Sequence, residues 1–461
     1  ALDANTTASY NTAVGRGALT NNNGGNNTAV GRNALEANTT GLSNTAVGDI
    51  ALDANTTGLN NTSVGRSSLG TNTTGSDLTA VGRKALFSNT TANNNVAVGG
   101  YALYSNTTGG NNVGVGVSTL YTNSTGANNT AVGWYAGNAN TTGNKNIAVG
   151  QAALTSNTTG SSNIAVGANA MEVNTTGSNN TAVGQDALIN NTTASYNTAA
   201  GSHALRTNST GAYNTAFGYE ALKDVSTGGS HTAVGARALE NVTGDYNVAL
   251  GYYAGQGITS GSKNIAIGNE SFAHATCTGD ENVGIGYDAL RTITTGDNNI
   301  AIGYKAGTTN SPANIDTGSN IICLGNNSVT ATYIKVDWTV TSDRRDKTDI
   351  TPFTHGLSWI NKLNPVTYRW DNRSFYDDGK PDGSKKQSQL NLGLIAQDEI
   401  EVEKEHGYGD TRDNMLVSHV GEDGNYGMQY SKLVPILINA IKEQQEQIET
   451  LKAKVAALES N

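Results

Sequence analysis

A 17-residue period governs most of this chain. The glycine that closes each Thr-Ala-Val-Gly or similar tetrapeptide falls at Gly48, Gly65, Gly82 and Gly99, and the series runs from Gly15 to Gly303 with single-residue slips. A last copy, Ile321-Ile322-Cys323-Leu324-Gly325, follows a 22-residue gap containing Ser311-Pro312. Asn and Leu hold fixed columns, Asn at 44, 61, 95 and 112 and Leu at 35, 52, 69 and 86. With 56 glycines and 14% charged residues in 461, composition alone would allow disorder. Strict long-period repetition argues instead for stacked coils, because a unit this short cannot bury a core by itself.

Within one unit, Asn44 to Gly58, alternation around Thr45-Ala46-Val47 predicts a short strand. Ala51-Leu52 supplies a second apolar point, and Asn55-Thr56-Thr57-Gly58 is a turn in which glycine permits positive φ. About one Val and one Leu per coil are expected inside, which is thin for a lone solenoid and suggests that several chains share a core. At a spacing of roughly 4.8 Å per coil the rod would be about 90 Å long, with Asn columns forming amide ladders. That ladder-and-turn arrangement explains the recurring Asn-x-Thr sequons without glycans. The aromatics Trp134-Tyr135, Tyr219, Tyr252-Tyr253, Tyr287 and Tyr304 follow motif glycines and are expected at the surface, as are His203, His231 and His274. Ala1 to Thr7 repeats Ala51 to Thr57, so the natural protein is expected to extend upstream.

The unit Asn-Thr-Ala-Val-Gly-x-x-Ala-Leu resembles the head repeats of trimeric autotransporter adhesins. That resemblance implies a homotrimeric parallel β-roll; the units here are a few residues longer.

After Gly325 the period fails. Thr330 to Val340 alternates like one longer strand, and then comes Thr341-Ser342-Asp343-Arg344-Arg345-Asp346-Lys347. A serine hydroxyl is a weak nucleophile that needs a base, and a lysine can serve if desolvation or nearby charge favours its free amine. Ser-x4-Lys is a weak motif alone, and a charged interdomain turn would explain it equally. The following sequence adds weight. Asn391-Leu392-Gly393-Leu394-Ile395-Ala396-Gln397-Asp398 reads as a strand running into a helix, and Tyr430-Ser431-Lys432-Leu433-Val434-Pro435 leads into the last helix. In that order, these segments resemble the C-terminal intramolecular chaperone domains of endosialidase tail spikes and other phage fibres.

The chaperone resemblance implies self-cleavage between Thr341 and Ser342, with Ser342 and Lys347 as a catalytic dyad and Asp343 and Arg345 as supporting residues. Asp346 stands where that family commonly has a hydrophobic residue. The last helix carries a heptad, with Val434, Ile441, Ile448 and Val455 at one seam position and Leu437, Gln444, Leu451 and Leu458 at the other. The heptad alone leans towards a parallel dimer; the rod and both resemblances imply a trimer.

The expected fold class is therefore mostly β: a trimeric β-solenoid rod over residues 1–327, a connecting strand over 328–341, and a small α+β chaperone domain over 342–461 ending in a coiled-coil helix over 432–459. The net charge of −10 is shared evenly, with 15 basic against 20 acidic residues from Ser342 onward, so no nucleic-acid partner is expected. No run of 18 apolar residues predicts a membrane-inserted helix, and Cys277 and Cys323 make neither a metal spacing nor a disulfide framework. No metal or cofactor is expected. Cys323 replaces a small apolar repeat residue and reads as a buried free thiol.

The expected function is a structural trimeric fibre, a phage tail fibre for host attachment, whose only enzymatic act is one intramolecular cleavage. Its partners would be copies of itself, a host-surface glycan or protein receptor, and an upstream virion or tail module, with assembly in the host cytoplasm. A bacterial trimeric surface adhesin is the alternative. It would need a membrane-anchoring barrel, usually C-terminal, where this chain has a heptad. An enzyme acting on host glycans is a third possibility, but no catalytic module interrupts the repeats and paired carboxylates at fixed positions are absent.

Overall fold

The computed structural model describes residues 2–335, 339–376, 378–421 and 424–460. The chain divides into two compact units, Ala1–Ile302 and Gly303–Asn461.

In the first unit every repeat contributes one three-residue strand, from β1 (Thr12–Val14) to β18 (Ile300–Ile302). Each strand pairs in parallel with the next in sequence, residue for residue: Thr28 with Thr45, Ala29 with Ala46, Val30 with Val47. Connections between coils run through turns whose backbone amides also bond to the adjacent coil, as from Leu35 N–H to the Ala51 carbonyl at 3.1 Å. This is the β-solenoid expected from the period.

Its interior differs from the expected one. The middle residue of each strand points inward and the third points out, so Ala46 is fully buried while Val47 is 37% exposed. Only Ala, Ser or Gly occupies the inward position in β1 to β18. The reason is space: a Cβ added at Gly114 would already lie 3.0 Å from Thr119 Oγ1 and 3.4 Å from Leu103 Cγ. Leucine columns fill the core opposite, with Leu35, Leu52, Leu86 and Leu103 at 0% exposure.

Two asparagine columns complete it. Asn55 Nδ2 donates to Asn38 Oδ1 at 2.8 Å and to the Gly58 carbonyl at 3.1 Å, and the same pattern repeats coil by coil up to Asn208. In the other column Asn61 N–H donates to Asn44 Oδ1 at 3.0 Å, and Asn61 Nδ2 donates to the Gly75 carbonyl at 2.9 Å. From Asn38 onward the Asn-Thr-Thr asparagines are thus buried and hydrogen-bonded, closed to a glycan in the folded shaft. His231 occupies this second column, 17 residues after Asn214, and is fully buried, not at the surface as expected. Its Nδ1 accepts from Asn247 N–H at 3.2 Å, and burial lowers its pKa below the ordinary value.

The motif glycine is required by two constraints at once. At Gly150 φ is +133°, and a Cβ would lie 2.4 Å from the carbonyl oxygen of Gly167 in the next coil. Cys277, in this unit, is a free thiol, and burial pushes its pKa up to about 11.

The second unit opens with the last repeat strand, β19 (Ile322–Leu324), in which Cys323 is buried as a free thiol. No strand forms among the described residues of 328–341; residues 336–338 of the expected connecting strand lie outside them. Downstream come α1 (Leu357–Ile360), β20 (Val366–Tyr368), β21 (Asn391–Gly393), α2 (Ala396–Glu405), β22 (Ser418–Val420), β23 (Tyr426–Met428) and α3 (Leu433–Glu459). β20 pairs antiparallel with β21, and β22 with β23. The core gathers Trp359, Val402, Val417, Leu433 and Ile436, with Phe353, Leu363 and Tyr408 packed around it. Glu443 of α3 accepts from Leu357 N–H at 2.8 Å, which satisfies an orphan amide at the start of α1.

Candidate functional site

The stretch 339–350 is exposed throughout its length. Its one ordered feature is a 3-10 turn, Arg344–Asp346, and the local sequence explains it. Asp343 caps the turn by accepting from Arg345 N–H at 2.9 Å, the usual task of an Asp just before a helix start. The same carboxylate accepts from Arg345 Nη2 at 2.6 Å. The Arg345 guanidinium therefore holds the Asp343 carboxyl below its ordinary value, and Arg345 is raised in turn.

The turn folds the chain back on itself, so that Lys347 Nζ lies 2.5 Å from Ser342 Oγ. Lys347 Nζ donates in this contact, whose reach is that which a serine nucleophile and its base would need. Ser342, Asp343, Arg345 and Lys347 are thus brought together within one turn, Asp343 and Arg345 shaping it and Lys347 meeting the hydroxyl. Thr341, whose carbonyl the hydroxyl would attack, immediately precedes them.

The heptad residues lie elsewhere, on α3. Val434, Leu437, Ile441, Ile448, Leu451, Val455 and Leu458 are all exposed, Ile441 by 64% and Leu458 by 76%. Leu433, Ile436 and Ala440 are the buried residues of the same helix and face the domain core. The first turns therefore have two apolar faces, one used within the chain and one open.

Sequence reasoning missed a buried acidic pair on α2. Glu403 is fully buried and accepts from the N–H groups of Leu416, Val417 and Ser418 at 2.8, 2.9 and 2.6 Å, tying α2 to β22. One turn earlier, Glu399 accepts from Trp359 Nε1 at 2.8 Å. Burial drives the Glu399 pKa up to about 7, with the Glu403 charge adding to the rise. The spacing of four in Glu399-Ile400-Glu401-Val402-Glu403 was visible, but alternating acids on a helix ordinarily mark a solvated face. Among the described residues no cluster of His, Cys, Asp and Glu could hold a metal ion, and no helix is long and apolar enough to cross a membrane.

The family model for the chaperone of endosialidase matches residues 342–408, beginning at Ser342 and ending just beyond α2. No curated protein and no solved structure matches the chain closely enough to add to this.

Proposed function

We propose that this chain is a subunit of a trimeric fibre, most simply a phage tail fibre for host-surface attachment. Its C-terminal unit would gather and register the chains and then cut itself off between Thr341 and Ser342. The observation that carries the reading is the 2.5 Å approach of Lys347 Nζ to Ser342 Oγ at the first residue of the chaperone match. The repeat shaft and the open heptad face of α3 agree with it.

The step balances within the chain and one water. Lys347, as the free amine, takes the hydroxyl proton while Ser342 Oγ attacks the Thr341 carbonyl carbon. The tetrahedral adduct collapses with cleavage of the C–N bond, and the departing Ser342 nitrogen takes a proton back from Lys347. An ester now joins Thr341 to Ser342 Oγ; water hydrolyses it to the Thr341 carboxylate and a free Ser342 hydroxyl and α-amine. In the single chain the dyad is exposed, so shielding it from water would fall to assembly with other copies.

The test is a denaturing gel of the full chain beside Ser342→Ala and Lys347→Arg. The parent should yield pieces 1–341 and 342–461. Both variants should stay whole, Lys347→Arg because a guanidinium does not give up its proton. A parent that stays whole, or a Lys347→Arg chain that cuts as fast as the parent, contradicts the dyad.

A further inference from the structure

The interior of the shaft changes at one coil. From Asn38 to Asn208 the first asparagine column is unbroken; the next two positions are Val225 and Val242, both fully buried. The second column holds asparagine from Asn95 to Asn214, gives way to His231 and resumes at Asn247. The period slips at the same place, since Gly235 and Gly251 stand 16 residues apart. Each column is left with a buried atom that makes no hydrogen bond, Asn208 Oδ1 in one and His231 Nε2 in the other. Unmatched buried polar atoms cost stability, so these coils are held less firmly than the uniform shaft before them.

An asparagine in the second column makes three bonds. Asn214 donates from its N–H to Asn197 Oδ1 at 2.9 Å and from Nδ2 to the Gly228 carbonyl at 3.0 Å, and its Oδ1 accepts from His231 N–H at 3.0 Å. His231 keeps the backbone bond, and its Nδ1 takes the place of the amide oxygen, accepting from Asn247 N–H at 3.2 Å. An accepting Nδ1 is bare, so the neutral ring carries its one proton on Nε2. The ring is closely fitted: a Cβ added at Gly228 would come within 2.8 Å of Nε2. We infer that this coil is an acid-opened seam, at which protonation of His231 parts the stack between β14 (Thr232–Val234) and β15 (Val248–Leu250). The imidazolium has an N–H on both nitrogens and no lone pair, so Asn247 N–H loses its acceptor and meets a second donor. Burial is the largest influence on the ring and disfavours its charge; the Asp245 carboxylate of the next coil, which accepts from Gly229 N–H at 2.9 Å, favours it, as do the Gly244 and Asn247 backbones. Asn214 on one side and Asn247 on the other are uncharged. The net direction is below the ordinary value of 6.5. Above pH 6.5 the ring is therefore neutral whether the coil is closed or open, and nothing is lost. As pH falls through 6.5 the opened coil takes up a proton that the closed one resists, and opening gains until the buried ring is itself protonated.

The inference is independent of cleavage and of assembly, because the ring lies inside its own coil. The test is amide hydrogen exchange of the full chain at about pH 7.5 and about pH 5, with each rate divided by its intrinsic rate at that pH. Residues 228–247 are read against 129–163 of the uniform shaft. In the parent, opening of 228–247 should rise roughly 10- to 30-fold on acidification, up to a factor of ten per pH unit below the ordinary histidine value, while 129–163 stays level. His231→Asn restores the residue that the column uses elsewhere, and His231→Leu follows Leu78, which occupies the same column fully buried. Neither side chain titrates, so both variants should lose the acid response, whatever their stability at neutral pH. A parent whose 228–247 segment opens equally at the two pH values overturns the seam. So does an acid response that persists undiminished in either variant, or one shared by 129–163.

Discussion

An amide ladder is as strong as its least satisfied member. Within the shaft each asparagine of the column from Asn38 to Asn191 both gives and receives, so removing one leaves a buried neighbour without a partner. Asn140 is such a member, donating to Asn123 Oδ1 at 2.6 Å and accepting from Asn157 Nδ2 at 2.8 Å. Asn208 is the last: the next position in the column is Val225, and Asn208 Oδ1 is buried without a hydrogen-bond partner. Asn140→Leu should therefore cost about 1–3 kcal/mol, the usual penalty for stranding a buried polar group, and Asn208→Val distinctly less. Urea unfolding of both variants checks the order; equal losses would mean that the ladder contributes nothing as a chain.

The second residue-scale prediction concerns Glu399. Its pKa is raised in the fold, so the folded unit binds that proton more tightly than the unfolded chain does. The stability linked to it is complete below the ordinary value of 4.5 and is lost as pH rises through about 7. Between about pH 5 and pH 8 the parent C-terminal unit should lose on the order of 2 kcal/mol relative to Glu399→Gln. Parallel pH profiles of the two in thermal unfolding would refute the assignment.

At the scale of elements, α3 carries the clearest expectation. Its heptad face is exposed in the single chain, so a charge there costs little until chains meet. Ile448→Lys should leave the helix content of the domain unchanged, shift the chain towards monomer in light scattering, and slow the release of 342–461. A variant that assembles and cuts as the parent does would remove α3 from the account. Much at this scale was legible in the sequence. The period placed the strands, and the columns placed the ladders. The chain-order segments placed β21, α2 and α3, and the chaperone resemblance singled out Ser342 and Lys347, whose side-chain atoms the Arg344–Asp346 turn brings together. What was not legible was which way each strand faces. Hydrophobicity puts Val inside; the close approach of Leu103 and Thr119 to the strand centre admits only Ala, Ser or Gly. His231 escaped for a related reason: its type suggests a surface and its column position a core, and the column was decisive.

For the molecule as a whole, the difficulty of a uniform repeat is register. Slipping one chain by a full coil preserves nearly every contact of a Thr-Ala-Val shaft, so the shaft's own sequence corrects such an error only weakly. In the proposed function, a device at one end that gathers the chains before the shaft closes would remove the degeneracy, and once it was cut away the assembled shaft would persist through slow unfolding. That proposed sequence of events sets what the finished particle would be. The most direct measurement is native mass spectrometry of the expressed full chain, with intact masses of the polypeptides from the same sample. The account predicts an assembly of three shaft chains, each ending at Thr341, beside pieces that begin at Ser342. A monomeric shaft, or chains uncut or cut at another bond, would contradict it.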